Sequence, residues 1–244
     1  MLQAIASQII FDSSNLGNLP LSQVFELAYT AGCSGIALAT NAPHIFIDAN
    51  GWESPDLPIS LSRFYHLPIS MVFAKPYRYS FFADKGTLHW QASRSYYFHT
   101  LAAAAAINTT FVGFHLGAPA LDRPKDAQLQ LAQVRLQQLC AHAAELSLQM
   151  VVCLDVDHLL TLYTLNMLSE LKEALPGQPF LLFRWEQLQQ MRPSLLKKIY
   201  RFVGNRLVLS ISDATLDMIN PAAMKSTGQH QNPLPLLFFP ASGC

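Results

Sequence analysis

Short apolar runs alternate with longer stretches whose apolar residues recur at spacings of three and four, and the alternation continues along the whole chain. A short continuous run bounded by turn residues reads as a strand buried on both faces. Spacing of three and four reads as a helix that lays one stripe on a core. On this basis strands are predicted at residues 4–11, 35–39, 69–74, 110–115, 150–154, 179–183, 207–211 and 234–239. Between them lies a helix capped by Asn18, with Pro20 in its first turn, Val24, Leu27 and Ala28 on its inner face, and Gly32 as its stop. A loop rich in Pro, Asp, Asn and Gly then leads to a short helix near residues 61–65. Two long helices follow, at 90–107 and from Pro124 onward; the second carries the stripe Leu129, Ala132, Leu136, Leu139, Ala143 and Leu146. Further helices are predicted at 159–174, 185–203 and, shorter, 216–224.

Continuous apolar strands separated by amphipathic helices imply a parallel sheet covered on both faces. About eight such units in one chain favour an α/β fold of the closed (β/α)8 TIM-barrel type, one domain over residues 1–244, rather than an open doubly wound sheet. No GxGxxG or GxxxxGK[ST] follows any strand, which weakens the nucleotide-binding alternative further. The eighth unit is incomplete by this reading, since too few residues follow it for a normal final helix.

Composition narrows the function classes. Hydrophobic residues make up 51% and charged residues 13%, against a usual charged share of roughly 25%. Such a chain is expected to bury a large core and to cover apolar surface in a homo-oligomer, with the aromatic pairs Phe81-Phe82 and Phe238-Phe239 as contact candidates. Sixteen basic residues balance sixteen acidic ones, so no field exists to displace phosphate counterions and nucleic acid is not an expected partner. The local cluster Arg192, Lys197, Lys198, Arg201 and Arg206 reads as the solvated face of a helix. Cys33, Cys140, Cys153 and Cys244 form no CxxC pair; structural zinc is not expected, and Cys140 and Cys153 read as reduced, small core residues. The N-terminus lacks the basic start of a secretion signal. The uncharged stretch 101–121 is interrupted by Asn108, Thr109, Thr110 and His115, so it reads as helix, turn and strand rather than a membrane span. A cytoplasmic protein is expected.

In a parallel barrel, chemistry collects where strands end and βα loops begin. There the sequence delivers Lys75 and Arg78 after the third strand, His115 at the end of the fourth, Asp155 after the fifth, Arg184 and Trp185 after the sixth, and Asp213 after the seventh. Asp155 and Asp213 have a second reading as helix caps, because a carboxylate accepts the free amides of a first turn. His115 has one as a hydrogen-bonding turn residue. A guanidinium directly after an apolar strand requires an acidic partner or an anion, and Asp155 on the adjacent strand is a candidate. No cysteine is predicted at a strand end and no GxSxG elbow occurs, so neither a thiol nor a serine nucleophile is indicated.

The order of Gly32-Cys33-Ser34-Gly35-Ile36 entering the second strand, the Ala-rich helix before 111–117, the segment 141–155 and the strand end 210–213 resembles the xylose-isomerase-like barrels, the sugar-phosphate isomerases and epimerases. That resemblance implies a divalent metal held by a Glu after strand five, an Asp-x-x-His after strand six, a His on strand seven and a Glu after strand eight. Here Asp155 stands for the first. Arg184-Trp185-Glu186-Gln187 occupies the second and Ser210 the third, and no Glu follows the eighth strand. Asp213 matches the acidic residue just beyond the third. The implied function is a sugar or sugar-phosphate isomerase or epimerase with a degenerate metal site, catalytic residues His115, Asp155 and Asp213, and substrate held by Lys75, Arg78, Arg184 and Trp185. No cofactor is expected, and a divalent metal (Mn, Zn, Co or Mg) only if the site is rebuilt from other residues. The alternative is a non-catalytic binder of a sugar-like ligand, or an assembly protein, on the same barrel.

Overall fold

A computed structural model of the chain describes residues 9–13, 16–40, 44–74, 79, 81, 88–115, 124–153, 179–184, 190–194, 197, 207–210 and 236–240. Its strands are β1 (Ile9–Asp12), β2 (Gly35–Ala39), β3 (Ile69–Ala74), β4 (Phe111–His115), β5 (Gln149–Cys153), β6 (Phe180–Arg184), β7 (Leu207–Ser210) and β8 (Leu236–Pro240). They pair in sequence order, all parallel, and β8 returns to β1 with Ile10 opposite Phe238. The described helices are α1 (Leu21–Thr30), α2 (Asp56–Tyr65), α3 (Leu88–Ile107) and α4 (Lys125–Glu145). The helices expected in the last units, including the one holding the Arg192 cluster, fall largely or wholly outside the described residues.

Two apolar layers follow from the period-two alternation of side chains along each strand. One set fills the barrel: Ile10, Ala37, Met71, Phe73, Val151, Cys153 and Leu182. At the strand beginnings Phe111 and Phe180 meet edge to face, with centroids 5.3 Å apart, and floor the interior. The other set, with Ile36, Leu38, Val72, Val112, Phe114, Val152 and Phe183, faces the helices. Against it lie Val24 and Phe25 of α1, Tyr97, Ala103 and Ala104 of α3, and Ala132, Leu136, Leu139 and Ala143 of α4. In the Ala-rich part of α3 the small side chains of Ala103 and Ala104 are fully buried against this layer.

Three local expectations are corrected. Pro20, not Asn18, occupies the N-cap of α1, and no side chain caps it; proline needs no amide partner there. Leu27 is 45% exposed, because the buried face of α1 runs through Leu21, Val24, Phe25 and Ala28. Phe81 is completely buried and stacks edge-on to Tyr97, so it serves the core and not a subunit contact. In addition α2 begins at Asp56, five residues before the predicted start.

Each described helix ends the same way. Gly32, His66, Asn108 and Ser147 all have left-handed backbone, with φ of 69°, 53°, 60° and 60°. Behind each, the next amide reaches back to a carbonyl in the last turn: Cys33 to Ala28 (3.1 Å), Leu67 to Ser62 (3.0 Å), Thr109 to Ala104 (3.1 Å) and Leu148 to Ala143 (2.8 Å). This is the Schellman arrangement, which satisfies carbonyls that the helix leaves open. Four successive units thus turn from helix to strand through one geometry, and only one of them uses glycine.

Two outcomes are expected. Ser147→Gly should raise stability by up to about 1 kcal/mol, because a left-handed L-residue carries strain that glycine lacks; Gly32→Ala should lower it by a similar amount. In the barrel, a Cβ on Gly113 would lie 2.6 Å from Cδ2 of Phe73. Gly113→Ala should therefore cost about 1–3 kcal/mol by overpacking, and Phe73→Leu in the same chain should recover part of it. Chemical denaturation of the single and double variants measures both effects.

Candidate functional site at the barrel mouth

The strand ends on the first half of the barrel carry polar groups that the backbone itself holds in place. β1 ends at Asp12, which by alternation shares the face of Ile10, and Ser13 follows, fully buried. The Ser13 amide donates to the carbonyl of Ala37 (3.0 Å), and its Oγ accepts from the amide of Ala39 (3.1 Å). Thr40, one residue past β2, donates its amide to the carbonyl of Phe73 (2.9 Å) and shares a hydroxyl hydrogen bond with Tyr96. Tyr96 stacks on Tyr79 with centroids 4.4 Å apart.

The loop between β2 and α2 is tied into this group. Ile47 and Trp52 form an antiparallel bridge, and the Asp48 carboxylate accepts from the amides of Asn50 (2.8 Å) and Gly51 (3.0 Å). The Asn50 amide above all holds the Asp48 carboxyl below its ordinary range. From the other side, the Tyr79 hydroxyl accepts from the amide of Ala49 (3.1 Å), and Nδ1 of His99 donates to the carbonyl of Asp48 (3.0 Å). His44, in the same loop, is buried.

On the second half, His115 is the last residue of β4 and half-buried. Its ring stands edge-on to Phe73, at 5.1 Å and 81°, which sets it above the apolar filling of the barrel. Cys153, opposite His115 in register, is the last residue of β5. This corrects the expectation that no cysteine stands at a strand end, since β5 stops one residue earlier than predicted. The residue is nonetheless buried within the interior apolar cluster. Burial also pushes the thiols of Cys33 and Cys140 up, to about 11 and about 12, so both stay protonated at neutral pH and are poor nucleophiles.

Arg184 closes β6 and stands opposite Ser210, the last residue of β7. Lys75, Arg78, Asp155, Trp185 and Asp213 lie outside the described residues. Of the predicted site, His115 and Arg184 are thus placed at the C-terminal end of the barrel. Asp12, Ser13, Thr40 and His44 were missed, although the same strand-end rule applied to IIFDSS and GIALAT would have found the first three. Among the described residues no three His, Cys, Asp or Glu side chains converge as metal ligands do. A cation and a hydroxyl, Arg184 and Ser210, occupy two positions where the resemblance implies ligands. A guanidinium has no lone pair to offer a metal, so Arg184 departs from the implied ligand pattern. No described helix is long and apolar enough to cross a membrane.

No protein-family profile matches the chain, and no curated protein matches it. Solved structures do. A 3-keto-D-glucoside 4-epimerase from E. coli superposes with a TM-score of 0.72 at 12% identity, over 96% of this chain and 91% of that one. A putative xylose isomerase from Rhodospirillum rubrum gives 0.69 at 14%, over 95% and 89%. A family 2 AP endonuclease from Brucella melitensis gives 0.67 at 11%, over 95% and 92%. At such identities the likeness is one of fold, and one fold hosts several chemistries. The chain folds as the xylose-isomerase-like barrels do.

Proposed function

We propose that the chain is a (β/α)8 barrel whose mouth binds a sugar or sugar phosphate and performs isomerase- or epimerase-type proton transfer without a divalent metal. The observation that carries this reading is the register pair Arg184–Ser210 at the ends of β6 and β7. Arg184 is the last residue of β6, and the reading takes its guanidinium as a permanent cation at the rim of a fold found in sugar epimerases. The endonuclease-type alternative is disfavoured by the balanced charge.

Epimerisation beside a carbonyl needs a base to take a proton from carbon, a donor to return it, and positive charge near the oxygen that becomes an enediolate. Arg184 supplies that charge, with Lys75, Arg78 and Trp185 holding the substrate. His115, Asp155 and Asp213 are the groups able to move the proton. Cys153 stands opposite Leu182, and Asp155 and Arg184 each follow by two residues. An Asp155–Arg184 ion pair would then stand in place of the ion. The second reading, a non-catalytic sugar binder or assembly protein, draws support from the same departure from the ligand pattern. Self-association has a surface available on α1 and α2, where Tyr29 is 60% and Phe64 75% exposed and Leu27 and Leu57 lie open beside them.

The coupling test is a double-variant cycle. If the two charges pair, Arg184→Met and Asp155→Leu should each lower the unfolding free energy by about 3–5 kcal/mol, because either would leave the other charge without its partner, and the double variant should recover much of the loss. Strictly additive losses would remove the ion pair from the proposal. For activity, ketohexoses and their phosphates should show proton exchange with deuterated solvent that chelator leaves unchanged and His115→Gln reduces. Near one equivalent of bound zinc, manganese or cobalt by elemental analysis would refute the metal-free mechanism. Exchange-free binding of the same sugars would favour the second reading.

A further inference from the structure

Of the ten residues of α2 only Pro58 is fully buried, whereas α1, of equal length, buries Leu21, Val24, Phe25 and Ala28. Leu61 and Tyr65 hold the inner side of α2 against the core. Its outer side carries Leu57, 58% exposed, and Phe64, 75% exposed, with Asp56, Ser60 and Arg63 exposed beside them.

At 3.6 residues per turn these five positions fall on one arc of about 120°. Ser60 stands at its middle. Leu57 and Phe64 run along one border, and Asp56 and Arg63 along the other, each border having one member in the first turn and one in the last. Phe64 is braced edge to face by Tyr65, with centroids 4.9 Å apart. Tyr65 in turn meets Phe25 at 6.1 Å and Tyr29 at 5.8 Å, both on α1. Apolar groups braced in this way lose little freedom when something covers them.

The pattern is its own complement when reversed. Turning α2 end for end about an axis at Ser60 sets Leu57 opposite Phe64 on one border and Asp56 opposite Arg63 on the other. From this we infer that α2 forms a two-fold contact between two copies of this chain, packed antiparallel with Ser60 at the axis. The small Ser60 lets the helices approach at the centre. Two Leu57–Phe64 contacts cover the exposed apolar groups, and two Asp56–Arg63 pairs fix direction and register. A parallel packing would instead lay the charged border of one copy on the apolar border of the other. Among the described residues no carboxylate pairs with Arg63, and the Asp56 carboxylate accepts the Ser54 hydroxyl (2.6 Å). A contact of this symmetry closes on itself, so association stops at the dimer. One ten-residue helix is about 15 Å long and offers less than the ~800 Å² per partner of a standard interface. A reversible dimer with a Kd on the order of tens of micromolar is therefore expected. The contact is independent of the chemistry at the barrel mouth.

Sedimentation equilibrium of the full chain from ~1 to ~500 µM brackets that Kd and tests the contact. The average mass should rise from monomer to dimer. Phe64→Ser should weaken association by ~10-fold or more, since each change acts twice in a symmetric pair. Arg63→Asp and Asp56→Arg should each weaken it by a similar factor through like charges, and the two together should restore it to within ~3-fold of the parent chain. Ser60→Cys should yield a disulfide-linked dimer under mild oxidation, because helices about 8–10 Å apart bring facing Cα atoms within disulfide range. Gln23→Cys, exposed on the far side of α1, should not. This pair decides the matter if a charge variant does not fold. A chain that stays monomeric throughout gives the α2 face to a different partner and overturns the inference. So does a dimer indifferent to Phe64→Ser, a charge exchange that restores nothing in folded variants, or equal cross-linking at positions 60 and 23.

Discussion

Closure of the sheet is the constraint from which the rest of the molecule follows. With β8 paired to β1, each strand gives hydrogen bonds along both edges, so no strand edge is open to solvent or to another chain. Each strand must then be apolar toward the interior and toward the helices alike. That demand explains the continuous hydrophobic runs and the low charge content. It also confines polar chemistry to the strand ends, where side chains escape both layers.

Most of the fold was legible because this constraint writes itself into the sequence. β2 and β3 could be read to the residue, since turn residues or a proline bound both runs. The exposure of Leu27 could not be read so well. Three-and-four spacing tells which residues share a face, not how wide the covered part is, and α1 buries Phe25 in preference. The start of α2 was hidden by Pro58, which suits a helix's first turn but reads as loop when its neighbours are Pro55 and Asp56. Phe81 was misassigned because an aromatic pair in a loop looks the same whether it turns inward to Tyr97 or outward to a partner.

The site was legible to a smaller extent, and unevenly. His115 and Arg184 follow from the strand-end rule alone, and the structure sets both at the C-terminal end of the barrel. Ser13 and Thr40 belong to it through hydrogen bonds to strands distant in sequence, Ala37 and Ala39 for one and Phe73 for the other. Such partnerships carry no local signature.

The loop that follows β2 is fastened at three points, by its own Asp48 turn, by Tyr79 and by His99. Ordering a loop on binding subtracts from affinity, because conformational freedom is lost at that moment. Here that loss is taken during folding. A molecule that met residues 48–51 would find that turn already held by Tyr79 and His99, so its ordering would take nothing from the affinity.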